Sequence, residues 1–225
     1  NTDNMSILGL TIDYGPYGWL EDYNPNWTPN TTDAAGKRYR FGNQSNIALW
    51  NLYQLANALY PLIEDAAPLE EILNDYAKKY DEDFLEMMLK KLGITSKNDE
   101  NEKLIQQLLY NLEQTETDYT IFFRNLNQIE KTDTSEVCVS KITAAFYKSE
   151  EVTGIILETW HFWFAHYVTL LNIEVLSEQE RKTLQNSVNP KYVLRNYMAQ
   201  MAIELAEKED YSLLNELYKL LLYPY

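Results

Sequence analysis

A chain of 225 residues fits one large domain or two small ones, and 45% hydrophobic content with 18 Tyr and five Trp excludes a disordered polypeptide. A formal net charge of −15 argues against non-specific binding to nucleic acid or an anionic membrane, since both need a cationic face. The single cysteine, Cys138, excludes an intrachain disulfide and a cysteine-based zinc site.

Residues 5–12 (MSILGLTI) turn β-branched toward their end and are punctuated by Gly15-Pro16, which predicts a strand or hairpin arm with a sharp turn. Residues 21–46, rich in Asn, Pro, Thr, Asp and Gly, predict a long ordered loop. From there the pattern is helical. Leu49, Leu52, Tyr53, Ala56, Leu59, Tyr60 and Ile63 recur at three- and four-residue steps, and Ala66-Ala67-Pro68 ends that run. The rhythm resumes at Leu69 and continues through Tyr76, Phe84 and Met88 to Gly93, a C′ residue. Leu104, Ile105, Leu108, Leu109 and Leu112 mark another helix, and Thr132–Ser135 separates helices expected over 118–130 and 136–148. The strongest apolar face falls in 150–173, with Ile155, Ile156, Phe162, Trp163, Tyr167, Leu170 and Leu171. Ser177-Glu178-Gln179-Glu180 reads as a capping box, Asn189-Pro190 as a helix start, and Ser212 as the cap of a last helix. No apolar run approaches the roughly 20 residues of a membrane span.

Chemistry concentrates at the beginning of the chain. Mg²⁺ takes hard oxygen ligands, usually one or two from protein, with phosphates and water completing an octahedron. Asn4 offers an amide oxygen and Asp13 a carboxylate, and a hairpin between them would bring both to one ion while leaving Asp3 free to accept a proton. Thr2-Asp3-Asn4 and Asp13-Tyr14-Gly15 are equally ordinary turn and strand-exit sequences, so spacing leaves both readings open.

NTDNMSILGLTIDYGPYGWLEDY resembles the selenoprotein O (SelO) family of protein adenylyltransferases, which have a kinase-like fold. Arg38-Tyr39-Arg40-Phe41-Gly42-Asn43-Gln44, with Ile47 and Leu49-Trp50-Asn51-Leu52 behind it, is similar to the family's loop-to-helix segment. Asn189-Pro190-Lys191-Tyr192-Val193-Leu194-Arg195-Asn196-Tyr197 is similar to its motif near the C-terminus. The resemblance implies a mainly α fold: the C-lobe of a protein-kinase-like fold over residues 1–225, with a small β-hairpin at its N-terminal edge and a helical C-terminal extension. It implies that Asp13 binds the metal and nucleotide as in a DFG-like element, that Asn4 is the second metal ligand, and that Asp3 is the proton acceptor. The implied reaction transfers AMP from ATP, with Mg²⁺ or Mn²⁺, to Ser, Thr or Tyr hydroxyls of proteins and releases pyrophosphate.

The glycine-rich loop, lysine and glutamate of the family's N-lobe have no counterpart in these 225 residues. The expectation is therefore a fragment that is inactive alone. Two alternatives stand beside the adenylyltransferase: a phosphate-transferring kinase-like protein or pseudokinase, and a non-catalytic helical interaction domain. The expected partners are ATP and protein substrates, with neither nucleic acid nor membrane. Cysteine usage and the lack of a visible signal peptide place the protein inside the cell, cytoplasmic if bacterial and mitochondrial if eukaryotic.

The remaining conspicuous residues read as structural. His161 and His166 sit five apart, about 140° around a helix, and cannot share a metal face. Cys138 lies among apolar neighbours as a small hydrophobe, and Trp160, Phe162, Trp163 and Tyr167 read as core. The acidic stretches 81–86 and 98–102 read as solvated faces.

Overall fold

Apolar residues at helical spacing dominate the sequence, and helices dominate the fold. The computed structural model describes residues 2, 5–10, 19–29, 33 and 35–225, and nine α-helices supply the regular structure among them. Two compact units result: one from Asn1–Gly18 and Asn24–Phe84, the other from Trp19–Tyr23 and Leu85–Tyr225. Among the described residues no helix is long and apolar enough to cross a membrane.

In the first unit, the polar loop is ordered by its own side chains. The Asp33 carboxylate accepts from the Gly36 and Arg38 amides at 3.1 and 2.8 Å, and Asn43 Nδ2 donates to the Arg38 carbonyl at 2.7 Å. The Arg38 guanidinium lies 4.3 Å from the Trp50 ring centre. Gly42 donates to the Pro25 carbonyl at 2.8 Å, so close that an added Cβ would sit 2.8 Å from Pro25 Cβ. A short 3-10 turn, Phe41–Asn43, then leads into α1 (Gln44–Ile63), so the loop ends a little earlier than its composition suggests. Glu64, in the left-handed region at φ 57°, closes α1. Asp65 Oδ1 accepts from the Ala67 amide at 3.0 Å as α2 (Ala67–Leu92) begins. The Ala66-Ala67-Pro68 break thus opens a helix and does not close one, with Pro68 in the first turn where its missing N–H costs nothing. Within α1 only Asn51 is buried, while Tyr53, Tyr60 and Ile63 of the expected apolar stripe are exposed.

The expected N-terminal hairpin does not form: no β-strand occurs among the described residues. The Gly9 amide donates to the Ser6 carbonyl at 3.1 Å and the Leu8 amide to Ser6 Oγ at 3.2 Å, which closes a turn in the middle of the apolar run. Gly9 sits at φ +70°, and Ile7 and Leu8 are about four-fifths exposed, so burial of these two side chains does little to reward an extended arm. Residues 11–18, including Gly15-Pro16, lie outside the described residues.

The second unit is built around α6 (Gly154–Ile173), with α3 (Asp99–Gln114) and α5 (Ser135–Ile142) packed against it. Trp160, Trp163, Phe164, Tyr167 and Leu171 are fully buried, whereas Ile155 and Phe162 face outward at 77% and 68% exposure. Phe162 is therefore no part of the core that its neighbours suggested. Trp163 stacks on Tyr167 at 5.1 Å and meets Phe164 edge-on at 4.9 Å. Its Nε1–H donates to the Leu104 carbonyl at 2.9 Å, and the Tyr167 hydroxyl donates to that of Leu92 at 2.7 Å, so both polar tips are satisfied inside the core. Gly93, at φ +72°, ends α2 as expected. Its amide bonds Lys90 and that of Ile94 bonds Leu89, the paired bonds of a Schellman turn.

Both helices expected between 118 and 148 are shorter. Tyr119–Asn125 (α4) passes into a 3-10 turn, and the carbonyls of Leu126 and Ile129 are taken by the buried Arg181 guanidinium. After α5, the Ala145 carbonyl accepts from the Asp118 amide at 2.7 Å and the Tyr147 amide reaches the Glu116 carbonyl at 3.0 Å, which pulls this stretch out of helix. Ser177 and Glu180 form the capping box of α7 (Glu178–Val188), as their spacing predicts. A helical pair, α8 (Asn196–Ala206) and α9 (Ser212–Leu221), completes the unit, with Tyr211 and not Ser212 at the cap position of α9. Cys138 is buried, and burial, with the Asp133 charge, pushes its thiol up to about 11.

Arg181, itself fully buried, holds the half-exposed Glu178, the buried Gln185 and two backbone carbonyls. Arg181→Met strands those acceptors and is expected to cost about 3 kcal/mol, read as a lower urea midpoint. Glu174 accepts from the amides and hydroxyls of both Thr95 and Ser96. Burial alone would raise its carboxyl, but these donors hold it below the ordinary value of 4.5. Its contribution is therefore complete above that value and is lost as pH falls through the depressed folded-state value. Urea melts across pH 3–6 (roughly the carboxylate range) should show a shallower acid decline for Glu174→Gln than for the parent.

Candidate functional site

Asp3, Asn4 and Asp13, the residues singled out by the sequence, lie outside the described residues, whereas Thr2 and residues 5–10 and 19–29 are described. Thr2, Met5 and Ser6 line a cleft of about 400 Å³ in the first unit, facing Asn51, Gln54 and Leu55 of α1. Asn51 Nδ2 lies 3.0 Å from the Met5 sulfur, and its buried Oδ1 has no hydrogen-bond partner among the described residues. Among the described residues every lining group is neutral. Among the described residues no group of three His, Cys, Asp or Glu side chains could hold a metal.

Residues 19–23 are gripped within the second unit. Asn196 closes a ring on Trp19: its Oδ1 accepts from the Trp19 amide at 3.0 Å and its Nδ2 donates to the Trp19 carbonyl at 2.9 Å. The same Nδ2 reaches Glu21 Oε1 at 3.0 Å, and the Asn196 amide donates to that oxygen at 2.8 Å. On the other side of this segment, the Tyr119 amide donates to the Glu21 carbonyl at 3.1 Å and the Tyr23 amide to that of Thr117 at 3.3 Å. The Tyr23 ring stacks on Tyr119 at 5.6 Å.

Asp118 anchors this grip. Its Oδ1 caps α4 through the Ile121 amide at 2.8 Å, and its Oδ2 accepts from the Tyr147 hydroxyl at 2.9 Å. Arg195 binds both oxygens, Nη1 to Oδ2 at 2.6 Å and Nη2 to Oδ1 at 3.0 Å, with the two side chains 12% and 4% exposed. Burial alone would lower the Arg195 guanidinium, but Asp118 outweighs it and keeps the value raised. The Tyr147 phenol is pushed upward by burial and then by Asp118, so it remains a donor.

Arg195, Asn196, Glu21 and Asp118 were not singled out by the residue pattern, because their partners lie far off in sequence. The Asn189-Pro190 helix start is also corrected. Asn189 exchanges two bonds with Lys91, to its carbonyl at 2.9 Å and from its ammonium at 3.1 Å, so its side chain caps nothing. The Lys191 and Tyr192 amides both donate to the Pro224 carbonyl, and helix begins only at Asn196. His161 and His166 converge on no common ligand, and His166 Nε2 instead lies 3.7 Å from Glu100.

Residues 1–222 match the family model described as protein adenylyltransferase SelO. The chain belongs to the SelO family. It is similar over its whole length to proteins named protein nucleotidyltransferase YdiU: 59% identical to that of Flavobacterium johnsoniae, covering 43% of the relative, and 48% identical to that of Aromatoleum aromaticum, covering 42%. The Rhodopirellula baltica relative is 45% identical, with 44% of it covered. The chain thus spans less than half the length of these curated relatives.

Arg195→Met should cost about 3 kcal/mol, because Asp118 is left buried without its counter-charge. Adding Asp118→Asn should recover part of that loss in a double-mutant cycle read by urea unfolding; strictly additive losses would mean that the pair is not coupled.

Proposed function

We propose that the full-length protein is an Mg²⁺-dependent protein adenylyltransferase that moves AMP from ATP to Ser, Thr or Tyr hydroxyls and releases pyrophosphate. The observation that carries this reading is the SelO family match across residues 1–222. The three resembling segments lie in order along the same span. In this reading the 225 residues correspond to the C-lobe of a kinase-like fold with its helical extension.

The donor set fits the metal, since an Asp13 carboxylate and an Asn4 amide are hard oxygen ligands of the kind Mg²⁺ prefers. When bound, the ion neutralises phosphate charge and aligns the triphosphate. Asp13 would hold the metal and, through it, the nucleotide, with Asn4 as the second ligand; Mn²⁺ suits the same donors. Asp3 would take the proton as the substrate hydroxyl oxygen bonds to the α-phosphorus. The α–β bridging bond breaks and its electron pair leaves with pyrophosphate.

Labelled ATP tests the assignment in the full-length protein. Label in the α-phosphate should pass to protein and label in the γ-phosphate should not, and Asp13→Ala or Asp3→Ala should reduce transfer about a hundredfold or more. Transfer of the γ-label would establish a kinase. No transfer of either label, with partner binding indifferent to Asp13→Ala, would establish an interaction domain.

A further inference from the structure

α9 is sharply two-faced. Leu213, Leu214, Leu217, Tyr218, Leu220 and Leu221 fall within an arc of about 160° at roughly 100° per residue, with Ser212, Asn215, Glu216 and Lys219 on the other side. An apolar stripe of that width ordinarily faces a core. In α9 none of its residues is buried. Leu213, Leu217 and Leu221, through the middle of the arc, are partly covered, whereas Leu214 and Tyr218 on its flank are 47% and 64% exposed. Nor is α9 a frayed end. Asp210 Oδ1 accepts from the Ser212 amide at 2.9 Å as the helix begins, and past its end the Pro224 carbonyl accepts from the Lys191 and Tyr192 amides at 2.6 and 3.1 Å. An apolar face is thus held in place and left open among the described residues.

Charge and length narrow what covers it. Glu204, Glu207, Glu209, Asp210 and Glu216 outnumber Lys208 and Lys219 on α8, α9 and the turn between them, an acidic balance that repels an anionic membrane. A second copy would bring another chain of net charge −15 against the first. The region matched by the SelO family model runs to residue 222 and so includes α9. The relatives carry more chain outside the matched region than within it. We propose that the apolar face of α9 is the seat of a segment of the full-length protein lying outside residues 1–225, which lays an apolar face of its own against Leu214 and Tyr218. The joint is held by burial of apolar surface and does not depend on the reaction proposed for the protein.

The test uses the full-length protein with Tyr218 replaced by the photo-cross-linking aromatic p-benzoylphenylalanine. After irradiation, peptide mass spectrometry of the monomer should place the cross-link on a residue outside 1–225. In the unsubstituted full-length protein, hydroxyl radicals should oxidise Tyr218 as slowly as the buried Tyr167, and far more slowly than in urea-unfolded protein. Leu214→Asp should lower the urea midpoint of the full-length protein and quicken oxidation at Tyr218, whereas a charge at a solvent-facing position leaves both near the parent values. Cross-links to residues 24–84 would make the first unit the occupant, and cross-linked dimers would make it a second copy; either result overturns the proposal. Oxidation of Tyr218 as fast as in urea, or the absence of any cross-link outside 1–225, overturns it as well.

Discussion

A carboxylate removed from water must have its charge answered locally, and Asp118 shows how much structure one such requirement can organise. Its two oxygens take a helix amide, a tyrosine hydroxyl and a bidentate guanidinium, while its backbone amide reaches Ala145. Each donor comes from a different stretch of chain. The start of α4, the Ala145–Tyr147 stretch and the lead-in to α8 are consequently fixed together, and residues 19–23 are laid along this junction.

The aromatic core around α6 has a different role. Its rings and the satisfied tips of Trp163 and Tyr167 supply non-directional stability. That stability lets the second unit tolerate a buried ion pair, whose net contribution to folding is small or even unfavourable. Core and junction divide the work: one makes the helices persist, and the other decides which polar segments lie next to each other. The charged junction carries specificity because its bonds are directional.

What could be read in the sequence follows from the range of the interactions involved. The Ser177–Glu180 capping box and the Gly93 helix end were legible because all their partners lie within five residues. Trp163 and Phe162 are neighbours of similar character, and only the rotation of α6 against α3 and α5 decides that one is core and the other exposed. Asn189 looked like a cap because nothing nearby revealed its engagement with Lys91, 98 residues away. The hairpin failed for a local reason: Ser6 and Gly9 close a turn inside a run whose composition favours extension. Of the candidate site, the oxygen ligands were suggested by residue type and the resemblance, whereas the Arg195–Asp118 mount needs a partner 77 positions distant.

The ring that Asn196 closes on Trp19 spans 177 residues. Closing so long a loop carries an entropic cost that local helices do not face, and it can be met only once the distal partner exists. During synthesis at about 5–20 residues per second, Trp19 precedes Asn196 by roughly 9 to 35 s. Over that interval α1 through α7 can assemble, but Trp19 and Glu21 have no Asn196 to hold them. The clasp is therefore among the last contacts a nascent chain can make, which ties its completion to the end of translation of this region.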